Sequence, residues 1–250
     1  MTSRWLLVSA AVFLLWSTPL PADDKNDQDS APANCSGLPD NSALHQSLVD
    51  AANAAGTVGG LFQGKMMWGA VVNRDGKLCA FTTSTSDPHD VWPGSQSIAK
   101  AKAYTANAFS NDSTPLSTAR LYTLTQPGHS LWSLGGANPS APLFLAPTGG
   151  QGGGMHHIAG GMIFFGGGVP LYKNGKIVGG LGVSGDTSCA DHEIAKRARN
   201  LAGMDPPGGM SADDIQYSSA DGAGVFTHPL CPNTYRNGTF IGNEPASSGY

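Results

Sequence analysis

The 250-residue chain is short of charge: Lys and Arg number 14, Asp and Glu 18, and together they make only 13% of the residues. The formal net charge is -4, and no basic cluster is longer than Lys196-Arg197-Ala198-Arg199, which excludes an electrostatic footprint for nucleic acid. Long hydrophobic runs are also missing. The most apolar run is Trp5 to Trp16. A membrane-spanning helix needs about 20 such residues, so this run is too short to span. No cysteine stands near its end, which argues against a lipid-anchored start.

What is present points to an exported globular protein. Arg4 precedes the apolar run, and Pro19, Pro21 and Ala22 follow it, the layout of a secretory signal cleaved after Ala22. Glycine (34) and proline (17) are plentiful, yet 40% of the residues are hydrophobic and Trp, Phe and Tyr are all represented, so a loop-rich but packed domain is expected rather than disorder. The expected organisation is a signal peptide over 1–22 and a flexible polar leader over 23–40. A single domain over 41–204 carries a long insertion at about 110–155, and a C-terminal extension over 205–250 is tethered to it.

Within the domain one pattern occurs twice, a hairpin followed by a helix. Trp68–Val72 and Leu78–Thr83 flank a turn containing Asp75-Gly76, and a helix with Ala99, Ala103 and Ala106 on one small-residue face runs to Phe109. Val169–Tyr172 and Ile177–Val183 flank Asn174-Gly175. Asp186, Thr187 or Ser188 then caps a helix whose apolar stripe is Ile194, Ala198, Leu201 and Ala202, with Lys196, Arg197 and Arg199 mostly off it. An earlier helix, capped at Asp40 to Ser42, has the stripe Leu44, Leu48, Ala51, Ala52, Ala55 and stops at Gly56. Met162 to Phe165 reads as one more strand. The fold class is therefore α+β, an antiparallel sheet built from hairpins with flanking helices.

Several separated stretches resemble the GlcG/HbpS-like family, also called the haem-degrading or DUF336 family. They are Gly167-Gly168-Val169-Pro170, the Asn174-Gly175 turn, Val178 to Gly185, Asp191, Ala195 and Lys102-Ala103-Tyr104-Thr105-Ala106. The resemblance implies a profilin-like sheet flanked by helices, and haem binding as in some members. It spans roughly the middle two-thirds of the chain, leaving out the signal, residues 115–155 and the tail.

Four cysteines in an exported chain form an even set with three possible pairings. Cys189 with Cys231 is favoured because it ties a tail of little periodicity to the start of the last helix, which leaves Cys35 with Cys79. The competing use of the same sulfurs is zinc: Cys189-Ala190-Asp191-His192 and His228-Pro229-Leu230-Cys231 make a CxxH and HxxC pair. An oxidising compartment favours the disulfide, so zinc is not expected beside it.

Gly180-Leu181-Gly182-Val183-Ser184-Gly185 matches GxGxxG, but the strand before it is the second arm of a hairpin. Close packing of helix on strand is the expected role rather than a nucleotide loop. Ser184 lacks the second glycine of a nucleophile elbow, since Asp186 stands there. His156 and His157 lie in a stretch, 149–168, half of which is glycine, with Met155, Phe164 and Phe165 nearby. An imidazole beside apolar surface is what an axial ligand in a tetrapyrrole slot requires, with solvated loop histidines as the alternative. Thr105 and His45 complete the candidate contacts; their competing roles are helix packing and a helix-surface histidine, and Lys102 has the competing role of a solvated charge. The leading function is a secreted or periplasmic haem-binding protein. An enzyme acting on haem or a small organic molecule stands as an alternative, although no compact acid, base and nucleophile set is visible. A non-catalytic homo-oligomeric accessory protein, with the 110–155 excursion at subunit contacts, is the other.

Overall fold

The Asn174-Gly175 turn has φ of 51° and 74°, the pair of left-handed residues a tight two-residue hairpin turn needs. It joins β3 (Gly168–Lys173) to β4 (Lys176–Ser184), as the turn at Asp75-Gly76 joins β1 (Trp68–Asn73) to β2 (Leu78–Thr83). The two hairpins meet along β1 and β4, giving one antiparallel sheet of order β2-β1-β4-β3. The structure, a computed structural model, describes residues 34–140, 155–158 and 160–247, all within one unit, Pro32–Tyr250. The expected signal peptide and most of the leader lie outside the described residues, as do 141–154 of the insertion. Among the described residues no helix is long and apolar enough to cross a membrane.

Alternation along the strands sends side chains to two cores. Trp68, Ala70, Val72 and Phe81 meet Ala99 and Ala103 of α2 (Ser95–Phe109) on one face. Val71, Leu171, Leu181 and Val183 meet Leu44 and Leu48 of α1 (Asn41–Asn53) and Ile194 and Ala198 of α3 (Ser188–Leu201) on the other. The sheet is thus a middle layer between α2 and the pair α1 and α3. Gly180 and Gly182 explain how close α2 lies: a Cβ on Gly180 would collide with the Ala103 carbonyl oxygen, and one on Gly182 with that of Ala99. The GxGxxG stretch is a helix–strand crossing, as its place after a hairpin suggested.

Several expectations change. α1 ends at Asn53, so Ala55 is outside it. Met162 to Phe165 form no strand; the Ile163 N–H donates instead to Thr105 Oγ1 at 3.0 Å, a bond outside any ladder. In α3, Leu201 is 54% exposed while Lys196 and Arg199 are fully buried, the reverse of the expected faces. The reason is the C-terminal extension, which covers that side of α3 and brings its own acids. Arg199 pairs with Asp213 at 2.7 Å, and Lys196 with Glu193 at 2.6 Å and Asp214 at 2.9 Å. The extension has two small ladders. A parallel one joins β5 (Gln216–Tyr217) and β6 (Thr227–His228), separated by the one-turn helix α4 (Ser218–Asp221), and a hairpin joins β7 (Thr234–Arg236) and β8 (Thr239–Gly242). Both favoured disulfides are formed, Cys35–Cys79 with Cα atoms 5.6 Å apart and Cys189–Cys231 with Cα atoms 6.0 Å apart.

Candidate functional site at the start of the last helix

Where β4 gives way to α3, the backbone of Gly185-Asp186-Thr187 must turn sharply while buried, so its amides need partners inside the protein. Asp191, one turn into α3, supplies them: its Oδ1 accepts from Gly185 N at 3.1 Å and Asp186 N at 2.9 Å, and its Oδ2 receives Lys102 Nζ at 2.7 Å. Lys102 also donates to the Val183 carbonyl at 3.0 Å and sits 4.9 Å from the centre of the Phe165 ring. It is fully buried, so the reading of Lys102 as a solvated charge is corrected; the pair crosslinks α2 to the β4–α3 turn. Burial pushes the Asp191 carboxyl up to about 6 against the pull of Lys102, and burial pushes Lys102 down. Asp186 is held from outside by the amides of Leu61 at 2.6 Å and Phe62 at 2.8 Å.

Beside this turn opens a cleft of about 260 Å³ with Tyr122 and Phe165 as aromatic walls and Ser188, His228, Cys231 and Glu244 around it. His228 is 3% exposed. Its Nδ1 lies 2.6 Å from the Pro229 carbonyl and so carries the proton, while Nε2 accepts from Gly166 N at 3.2 Å. Burial holds this imidazole neutral, down at about 4. Ser188 Oγ lies 3.4 Å from Nε2. An imidazole held neutral in this way is poorly matched to activating a serine near neutral pH. The Tyr122 ring tilts over His228 with centroids 5.1 Å apart.

The expected haem contacts are not brought to one place. His156 N donates to Leu78 O at 2.9 Å and Leu78 N donates to His157 O at 3.1 Å, so this short segment adds to the free edge of β2, with Met155 packed against the Trp68 and Phe81 core and His156 exposed. Phe165 is at the other side of the sheet, next to β3, where its carbonyl accepts from Thr118 Oγ1 at 2.7 Å. Phe164 packs edge-on against Phe109, centroids 6.1 Å apart. Thr105 is buried and donates to Ala101 O at 2.7 Å. His45, on α1, lies 2.6 Å from the Thr83 carbonyl. His156 and His157 thus lie at the β2 edge and Phe165 near β3, so their adjacency in a glycine-rich stretch did not become adjacency in space.

The zinc quartet is divided too. Cys189, His228 and Cys231 converge, but His192 Nε2 accepts from Ile215 N at 3.1 Å and lies 3.3 Å from Asp214. Tyr122, Tyr217 and Glu244 gave no signal in the sequence, since each arrives from a segment without periodicity.

A four-stranded antiparallel sheet between one helix and a pair of helices, with a glycine crossing and a cleft at the start of α3, defines an α+β sandwich domain. Residues 42–200 match the family model described as Haem degrading protein HbpS-like, and the chain belongs to that family. Among solved structures it is similar to the Klebsiella pneumoniae protein ORFY, at 22% identity over 65% of this chain and 86% of that one, TM-score 0.46. It is similar as well to the PduOC:heme complex, at 24% identity over 64% and 88%, TM-score 0.45, and to HbpS, at 21% over 69% and 91%, TM-score 0.42. No curated protein matches by sequence.

Proposed function

We propose that the protein is an exported haem-binding member of the HbpS-like family. The observation that carries this reading is the family match over 42–200, whose description names haem. The chain's own donors fit in part. His156 offers an exposed imidazole on backbone pinned to β2, with Met155 leading into the apolar core, whereas His228 is buried with both ring nitrogens engaged. Haem, when bound, would supply a redox-active iron, and His156 or His157 would hold it through an imidazole nitrogen. Phe164 packs against Phe109 and Phe165 lies near β3, so neither stands with these histidines at the β2 edge.

Export rests on Arg4, the apolar run and Ala22. Assembly into a homo-oligomer is part of the same reading, supported by the exposed apolar side chains Leu61, Met66 and Trp92.

Hemin titration of the purified protein tests the proposal. A saturable Soret shift at micromolar hemin is expected, lost in the double variant His156→Ala and His157→Ala and kept in His228→Ala. No shift in the parent protein overturns it. Following the Soret band with reductant and oxygen separates binding from turnover, amino-terminal sequencing of the mature protein checks cleavage after Ala22, and light scattering reads the assembly.

A further inference from the structure

The cleft beside α3 holds a second chemistry that haem binding leaves unused. One ligand atom each from Cys189, His228 and Cys231 lies within 4.8 Å of the other two, and all three residues are buried. In the oxidised protein the sulfurs are bonded to one another. Their surroundings are nevertheless those of a metal site. His228 Nδ1 donates to the Pro229 carbonyl, the outer contact that fixes a ligating imidazole with its lone pair on Nε2. That nitrogen is 3.4 Å from Ser188 Oγ, which in turn is 3.3 Å from Cys231 Sγ. The Cys189 N–H points at Cys231 Sγ from 3.2 Å, a donor suited to a sulfur that carries negative charge. The cleft of about 260 Å³, lined by His228 and Cys231 among others, gives an ion a way in.

We propose that reduction of the Cys189–Cys231 disulfide converts this cluster into a zinc site, with the two thiolates and His228 Nε2 as protein ligands and water in the fourth position. The S–S bond breaks as a dithiol reductant delivers two electrons and two protons; the reductant becomes a disulfide and the protein gains two thiols. Zinc binding then releases the two thiol protons. Tetrahedral zinc with sulfur at about 2.3 Å places two thiolates about 3.8 Å apart, so each sulfur retreats by about 1 Å, within reach of side-chain rotation. The Gly166 N–H and the Ser188 hydroxyl lose Nε2 as a partner in the conversion. His192 stays out, bound to Ile215 N. Two thiolates and an imidazole select zinc over the oxygen-loving cations. The consequence is a tether for the C-terminal extension that persists in both redox states, covalent when oxidised and coordinate when reduced.

The test uses the mature chain carrying Cys35→Ser and Cys79→Ser, so that only this disulfide responds. It is reduced with dithiothreitol, which is removed anaerobically before zinc or cobalt(II) is added, and far-UV circular dichroism is recorded throughout. Stoichiometric zinc in the reduced protein is expected, with none held in the oxidised one. Cobalt(II) should show thiolate charge-transfer absorption and the visible bands of a tetrahedral site, and reoxidation should expel the metal. His228→Ala should weaken zinc binding by at least about tenfold. Should that variant fail to fold, Cys231→Ser carries the same expectation. Reduced protein that takes up no stoichiometric zinc, folded or not, overturns the proposal, and so does unchanged zinc affinity in folded His228→Ala.

Discussion

Lys102 Nζ and the Asp191 carboxylate lie 2.7 Å apart with side chains 0% and 2% exposed, joining the middle of α2 to the first turn of α3 through the interior. The pair is a crosslink and also a scaffold, because the same carboxylate receives the Gly185 and Asp186 amides.

Removing one partner strands a buried charge, which typically costs about 3–5 kcal/mol. Lys102→Met should therefore destabilise by that amount. Asp191→Leu should cost more, since two backbone donors lose their acceptor along with the lysine. The double variant should be far less damaged than the sum of the singles. Urea unfolding of all four proteins measures the coupling, and additive losses would show that the two groups do not depend on each other.

The Gly182 crossing gives a second expectation. Gly182→Ala forces a methyl into the Ala99 carbonyl, and overpacking of this kind costs roughly 1–3 kcal/mol or more. In a domain of this size that lowers Tm by about 2–12 °C. Gly94→Ala, where an added Cβ meets nothing within 4 Å, should leave Tm nearly unchanged. Equal shifts in the two variants would sink the idea that α2 touches β4 through bare backbone.

Acid stability should follow Asp214. Burial alone would raise this carboxyl, but the nearby His192 ring, 3.3 Å away, and the Lys196 ammonium, 2.9 Å away, hold it well below its usual 3.8. A carboxyl depressed in the folded state adds stability that is complete above its unfolded value and is lost as pH falls through the folded one. The Asp214 contribution should be complete above about pH 4 and fade progressively below it, so Asp214→Asn, weaker throughout, should show a flatter acid limb than the parent protein. Parallel profiles would assign acid unfolding to other groups.

The Cys189–Cys231 bond closes a loop of sequence separation 42, which corresponds to about 4 kcal/mol of loop entropy. Cys189→Ser with Cys231→Ser should lose about that much, with limited proteolysis cutting first in 205–247 while the sheet core resists. Cleavage rates equal to those of the parent protein would mean that the ladders and ion pairs hold the extension alone.

The elements set by local chemistry were legible in the sequence. Asn174-Gly175 specifies a tight turn, Leu44 and Leu48 a helix face, and Ala99 and Ala103 a small-residue face, because each depends on neighbours within a turn or a strand; that this face lies on Gly180 and Gly182 is shown by the fold. The cysteine pairing was legible for a related reason, since a tail of little periodicity called for a covalent tie to the domain. What only the tertiary structure decided are the partners across long separations. Lys196 and Arg199 read as solvent-facing because helical periodicity sees only α3, while the acids that bury them, Asp213 and Asp214, arrive with the extension. Likewise His156 and Phe165 are nine residues apart in the chain but at different edges of the sheet, whereas Cys189 and His228, 39 apart, share one cleft. Proximity in sequence constrains backbone conformation; proximity of functional atoms is settled by how the layers and the extension pack.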